Sequence, residues 1–494
     1  MLFNSIEFLI FFPIVLLIYF VIPQKAKNLW LLAASYYFYM CWNAKYVVLL
    51  LFSTLVTYIG GLCMETVKQS GCTPAHKTAY KKLIVAGSFV LNLLLLFYFK
   101  YINFALDVLG RLLGAVHIEM NVPAFDIILP VGISFYIFQA LSYTMDVYRD
   151  EIYAEKNFFR YALFVSFFPQ LVAGPIERSK NLLKQFSGHK KFDVAMARDG
   201  LLLMLWGYFL KLVIADRCAV LVNTVYGDFA AYHGFQIITA NVLFAFQIYC
   251  DFMGYSIIAT GAARVLGFRL MNNFEQPYLA QSVKQFWRRW HISLSSWLRD
   301  YLYIPLGGNR KGRLKKFRNL LITFLVSGLW HGANITFVIW GGLHGIYQIC
   351  EELAAPYVDR CYKRFQIDTG NFSWRCIRIV KTFILTDIAW VFFRADTPMA
   401  ALRILKRSAE LTNSGLLLTG GLYELGLDEK NIAILLIALA ALLFSSLIKE
   451  SGRDTLEWLR RQSIIFRFVL YWGAVILITL SLDITGQEFI YFQF

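Results

Sequence analysis

Long, nearly uncharged apolar runs recur along this chain. They fall at about 7–23, 29–42, 46–64, 83–106, 127–147, 158–175, 198–223, 236–266, 317–330, 334–350, 377–394, 431–448 and 466–482. About 20 apolar residues in a helix cross a bilayer. The pattern therefore predicts an all-α polytopic membrane protein with about 11 to 13 helices crossing or entering the membrane. The runs are continuous rather than alternating, which excludes a β-barrel. The run at 29–42 is short for a full span. Residues 317–350 are interrupted only at Trp330-His331-Gly332, and read as two spans or as one long kinked helix. The first run has no Lys or Arg before it and no small-residue cleavage site after it, so it reads as a retained helix rather than a signal peptide. Neither an internal repeat nor a soluble insert breaks the pattern. Residues 1–494 read as one integral-membrane domain.

One segment departs from the hydropathy pattern. Residues 270–310 are too polar to span and too aromatic for a free loop. Phe286 to Arg310 alone holds four arginines, a histidine and an aspartate. Charges near a bilayer cost several kcal/mol unless paired or hydrated. Trp287, Trp290 and Trp297 suit an interfacial or re-entrant position. On a continuous helix, Trp287, His291 and Ser295 share a face with Arg288 beside His291. Irregular backbone at membrane depth is tolerated only under cover of protein or a water cavity. Short helices are expected here, with a turn at Pro305-Leu306-Gly307-Gly308, dipping into a cavity.

Composition narrows the classes. The chain has 494 residues, of which 58% are hydrophobic and 16% charged, against about a quarter charged in a soluble domain. The net charge of +16 gathers between the runs. Lys68, Lys77, Lys81 and Lys82 flank one connection, and Arg178, Lys180, Lys184, Lys190 and Lys191 another. Arg310, Lys311, Arg313, Lys315, Lys316 and Arg318 form the densest cluster. By the positive-inside rule these loops are cytoplasmic, whereas 419–430, with Glu424, Asp428 and Glu429, faces outside. Basic residues spread among membrane segments argue against nucleic-acid binding. Eight cysteines lie scattered without a CxxC pair, which suggests neither a disulfide framework nor a metal site.

The chemistry-bearing residues are few. His331 sits in an apolar run between Trp330 and Gly332, either as an interfacial histidine or as a general base for a hydroxyl. His291 follows Arg288 and Arg289, two cations that would keep its imidazole neutral. His344 lies thirteen residues after His331, off its face of a continuous helix, and reads as packing or cavity lining. A three-histidine zinc site lacks carboxylate or Cys at ligand spacing. Asp251, in an apolar run, needs a partner, expected to be an Arg or a Tyr hydroxyl. Asp300 is expected to pair with an arginine of its own segment. Glu177 reads as a solvated helix boundary.

Together, Leu171 to Ile176, Tyr249 to Ser256, Phe286 to Arg310, Gly328 to Ala333 and Trp340 to Gly345 resemble the membrane-bound O-acyltransferase family. The nearest branch resembles the bacterial alginate O-acetyltransferases and is related to D-alanyl transfer to teichoic acid. The opening Leu2-Phe3-Asn4-Ser5 fits as well. The resemblance implies a ring of helices around a central tunnel, with the acyl donor used inside and the acceptor outside. It implies that His331 is the catalytic histidine and His291 the second. Trp330, Asn334, His344, Trp287, Arg288, Ser295, Asp300 and Asn309 are then candidates to line the tunnel. Direct transfer to the acceptor is preferred to a covalent serine enzyme. His291, Asn334 or a backbone amide near Gly332 would steady the oxyanion. The donor would be acetyl-CoA or an acyl carrier protein thioester, with no bound cofactor. The acceptor would be an extracellular or cell-wall polysaccharide, and the site the cytoplasmic membrane. An extracytoplasmic SGNH-type partner would dock outside, against Phe489-Ile490-Tyr491-Phe492. The competing readings are D-alanyl transfer to teichoic acid, a glycan or acyl-group transporter, and a structural part of an export complex. A transporter commonly shows inverted repeats and paired broken helices, which this sequence lacks.

Overall fold

The computed structural model describes residues 1–117, 125–172, 174–310, 312–415, 420–482 and 489–490. Among the described residues the regular elements are helices, with no strand. Among the described residues, four helical stretches are long and apolar enough to cross a bilayer: Gln24–Gln69, Pro74–Ala115, Phe235–Val265 and Glu429–Glu450. Ile6–Val21 and Ile464–Thr479 are shorter apolar helices. The chain is a helical membrane protein. It folds as two compact units, residues 1–204 with 258–271, and residues 205–257 with 272–494.

In the first unit the runs expected at 29–42 and 46–64 join through a 3₁₀ turn at Ala44–Tyr46 into one long stretch. Two other expected runs change character. The run at 127–147 is helical only from Ile133 to Tyr148, and that helix is buried on nearly every side. The run at 158–175 divides into Phe158–Ser166 and Phe168–Leu171, with Phe167 extended between them. Both are apolar because protein covers them, not because each faces lipid along its whole length. Their polar side chains bond across helices: Ser53 Oγ donates to Asn92 at 2.5 Å, Tyr161 OH to Thr57 at 2.7 Å, and Ser179 Oγ to Asp146 at 2.6 Å. Such bonds hold helices together where apolar burial does not. Glu177 is buried rather than solvated. Its carboxylate accepts from the Met271 amide and, at 2.7 Å, from Asn181, while burial pushes its carboxyl up to about 7.

In the second unit the interrupted run at 317–350 forms two helices, Arg313–His331 and Ile335–Arg364, rather than one kinked helix. They pack antiparallel. Gly328 faces the Phe337 carbonyl and Gly341 the Phe324 carbonyl, where an added Cβ would lie 2.2 Å from either oxygen. Further down, Lys316 pairs with Glu352 across the same interface. The helix Phe372–Arg394 packs on the second member of this hairpin.

A buried ion cluster sits elsewhere in the second unit. Lys211 Nζ lies 2.8 Å from Asp216 and 2.7 Å from Asp251, each side chain at most 4% exposed. Asp251 therefore pairs with a lysine, not with the expected Arg or Tyr. Lys211 belongs to a π-helical stretch, Phe209–Ala215. That local widening of the helix lets one ammonium meet both carboxylates. The backbone amide of Ile490 donates to the other Asp251 oxygen at 2.7 Å, and the Phe489 ring lies 4.2 Å from that of Tyr255. Phe489 and Ile490 are buried, so they are not an outer docking surface. Tyr491 and Phe492 lie outside the described residues.

Removing one member of a buried ion cluster leaves its partners charged and unpaired, at a cost of about 3–5 kcal/mol. Lys211→Met is expected to lower stability by about that amount, read as thermal unfolding in detergent. A loss under about 1 kcal/mol would mean the cluster is solvated and the burial argument wrong.

Candidate active site

The hairpin decides where His331 stands. It is the last residue of Arg313–His331, and Gly332 leaves the helix in extended conformation. The imidazole is 3% exposed and walled by rings. Trp330, Trp340 and Phe393 stand nearly edge-on to it, with centroids at 5.0, 4.9 and 5.4 Å. Trp340 comes one turn into the second hairpin helix, which the Gly328 and Gly341 contacts draw close.

His291 reaches the same place from the polar segment. The expected short helices form, as Val283–Arg289 and Ile292–Leu298. They do not form one continuous helix. His291 breaks them in the left-handed region, φ 43° and ψ 54°, which side chains with a Cβ rarely adopt. Trp287, His291 and Ser295 therefore do not share one helical face. The break is held by residues that the sequence reading missed. Asn273 accepts from Ser293 Oγ at 2.7 Å, from the Ser293 amide at 3.3 Å and, through its carbonyl, from the Ile292 amide at 2.9 Å. Its own amide donates to Ser256 at 3.2 Å.

The turned His291 ring lies 4.7 Å from Phe252, 5.7 Å from Trp330 and 6.3 Å from His331. Two histidines distant in sequence thus meet inside an aromatic box. Burial, rather than the neighbouring arginines, lowers the proton affinity of His291 to about 3. Arg288 is exposed, and Arg289 is engaged by Glu450 at 2.7 Å.

The remaining candidates separate by place. Trp330 belongs to the box. Trp287 packs against Trp340, Phe324 and His344 at 5.7, 5.0 and 5.1 Å. His344 is fully buried in that second aromatic cluster. Asn334 caps the Ile335 helix through the Thr336 amide at 3.1 Å and donates to the Asp396 carbonyl at 3.0 Å. Its side chain is thereby committed to the turn, not to an oxyanion. Ser295 Oγ donates to the Trp290 carbonyl at 3.1 Å. Asp300 pairs with Arg299 of its own segment at 2.8 Å, as expected, and Asn309 is exposed. The turn at Pro305–Gly308 is present. Asn319, another residue the sequence did not single out, donates to the carbonyls of Leu306 and Gly308 at 3.2 and 3.0 Å.

A buried neutral imidazole can accept a proton from a hydroxyl, and a second one can offer an N–H to a developing negative oxygen. The box therefore suits acyl transfer to a hydroxyl. Comparisons with known proteins point the same way. Residues 37–377 match the membrane-bound O-acyltransferase family. The chain is 35% identical over the whole length of both chains to the probable alginate O-acetylase AlgI of Pseudomonas putida. It is 40% identical to the probable alginate O-acetylase AlgI of Pseudomonas aeruginosa, over 82% of this chain and 74% of that one. It is 36% identical to the peptidoglycan O-acetyltransferase of Helicobacter pylori, over 82% of this chain and 79% of that one.

Proposed function

The chain belongs to the membrane-bound O-acyltransferase family, and from that premise we propose that His331 is the base that moves an acetyl group from a thioester to a polysaccharide hydroxyl. The protein is a membrane O-acyltransferase acting on a polysaccharide, probable alginate O-acetylases and a peptidoglycan O-acetyltransferase being its relatives. The observation that carries the proposal is the meeting of His331 and His291, both buried and 6.3 Å apart, within a wall of aromatic rings. Neutral His331 takes the hydroxyl proton as the acceptor oxygen attacks the thioester carbonyl. The new C–O bond forms and the C–S bond breaks. The proton then passes to the departing thiolate, so the free thiol leaves and the histidine is neutral again. His291, held neutral, offers one N–H to the oxyanion of the tetrahedral intermediate.

The donor reaches the box from the cytoplasm as acetyl-CoA or an acyl carrier protein thioester. The basic cluster supports this side. Arg310, Arg313, Lys315 and Arg318 are exposed, and Lys316 is half-buried beside Glu352. Lys311 lies outside the described residues. The described members sit at the end of the hairpin opposite His331, where phosphates or an acidic carrier would be attracted. The protein then lies in the cytoplasmic membrane. An extracytoplasmic partner of the SGNH type holds the polymer whose hydroxyl is acetylated.

His331→Ala is expected to slow thiol release from acetyl donors by about 10²–10⁴-fold, the range of a general base, with the folded protein intact. His291→Phe should cost about 10²–10³-fold, as loss of an oxyanion donor does. Near-normal turnover by His331→Ala would remove it from the mechanism. Reversing Arg313, Lys315 and Arg318 to Glu should raise the donor KM, and more so at low salt. A KM unchanged at low salt would leave the cluster as a membrane anchor only. Acetylation of polymer by the lone protein in liposomes would dispose of the partner.

A further inference from the structure

Four buried polar atoms converge beside the box. His344 is fully buried, yet neither ring nitrogen has a hydrogen-bond partner among the described residues. The same holds for the indole nitrogens of Trp287 and Trp340. The three side chains form one cluster: His344 lies 5.1 Å from Trp287 and 5.2 Å from Trp340, with Phe286, Phe324 and Trp390 closing it at 5.9, 6.4 and 6.3 Å. Buried polar groups are nearly always hydrogen-bonded, and leaving one without a partner costs free energy. The mechanism at His331 uses none of these atoms. Such a concentration in one small cluster points to a ligand.

The kind of ligand follows from the groups. An indole N–H only donates, so it seeks a carbonyl oxygen. A neutral imidazole donates at one nitrogen and accepts at the other, so it can also take an amide N–H. Carbonyl and N–H side by side are an amide. Position says which amide. Trp340 stands between the two histidines, 4.9 Å from His331 and 5.2 Å from His344. From His331 the hairpin runs back through His344 to Lys316 and Glu352 at its basic end. Fifteen residues of helix separate Lys316 from His331, about 22 Å at about 1.5 Å per residue. An extended phosphopantetheine arm has its phosphate at one end, its thioester at the other and two amides between. Laid along the hairpin, it brings phosphate to the basic end, thioester to His331 and amide to His344. Tyr347 and Gln348, half-buried one turn nearer the basic end, stand on that route, and Gln348 Nε2 also has no hydrogen-bond partner among the described residues.

We propose that His344, with the indole N–H groups of Trp287 and Trp340, grips the amide of a phosphopantetheine-type donor arm and so sets the thioester at His331. This rests on the acyl-transfer reading above and names the part of the donor that the protein reads. CoA and carrier proteins carry the same arm.

The test compares thiol release from three donors, acetyl-CoA, acetyl-pantetheine and the armless S-methyl thioacetate, with a polysaccharide fragment as acceptor. His344→Phe keeps the ring packing and removes the hydrogen bonds, and His344→Gln keeps an amide that can bond. The advantage of acetyl-pantetheine over S-methyl thioacetate in kcat/KM is expected to shrink about tenfold in His344→Phe, a loss seen mainly in KM, and to recover in His344→Gln. An equal loss on all three donors, or no loss on any, would overturn the proposal. A His344→Phe protein that fails to fold moves the comparison to Trp287→Phe, in which an unchanged donor preference would overturn it too. An acetylated carrier protein run beside acetyl-CoA shows which source supplies the arm. If the wild-type protein releases thiol from no donor, the acyl-transfer reading itself fails, which is a separate result from a wild type that works without reading the arm.

Discussion

Two helices meet backbone to backbone at Gly328 and Gly341, and the rings around His331 depend on that contact. Lipid tails are as apolar as leucine, so burial of apolar surface does little to bring membrane helices together. Close packing and hydrogen bonds do it instead. At these two glycines each helix presses on a carbonyl of the other, with no space for a Cβ. A side chain at either position would push the helices apart. Trp340 would then leave His331, and with it the edge-on contact at 4.9 Å. The short approach thus sets the geometry around His331.

The same protein handles charge in two ways. Where charges are structural they are paired in place: Lys211 with Asp216 and Asp251, Arg289 with Glu450. Around the two histidines the wall is aromatic. Phe252, Trp330, Trp340 and Phe393 give the two histidines low-dielectric surroundings without a formal charge among them. In such surroundings an imidazole stays neutral and able to accept a proton. A hydrogen bond to a developing oxyanion is also worth more there than in water. The ion pairs keep the scaffold fixed.

Much of this was legible from the sequence, because the relevant signals are local. Apolar runs mark helices, and the Trp-His-Gly and Arg-Trp-His stretches mark the two histidines. What escaped depends on contacts between distant residues. Nothing in the run at 317–350 says that its glycines pair across a hairpin, so a kinked helix remained open. Asp251 needed a cation, but its partner lies forty residues away and reaches it only because the helix widens at Phe209–Ala215. Glu177 looked like a surface residue because its neighbours are polar. Buried, it is met by the backbone amide of Met271, far along the chain. Hydropathy also overstated the spans at 127–147 and 158–175, since residues buried in protein and residues facing lipid look alike in composition.

The break at His291 shows why spacing alone misplaces a side chain. A continuous helix would carry His291 over Trp287 and toward the cluster of His344. The left-handed residue instead swings the ring to Phe252 and to His331. A left-handed conformation costs a residue with a Cβ about 1–2 kcal/mol. Asn273 offsets that by accepting the Ser293 hydroxyl and amide with its side chain and the Ile292 amide with its carbonyl, which would otherwise be buried without partners. The strain is local and its relief comes from a residue eighteen positions earlier in the chain. Strain held in this way by surrounding bonds is what fixes a side chain to one direction. The position of the second histidine is therefore a property of Asn273 and its partners as much as of the motif that contains it.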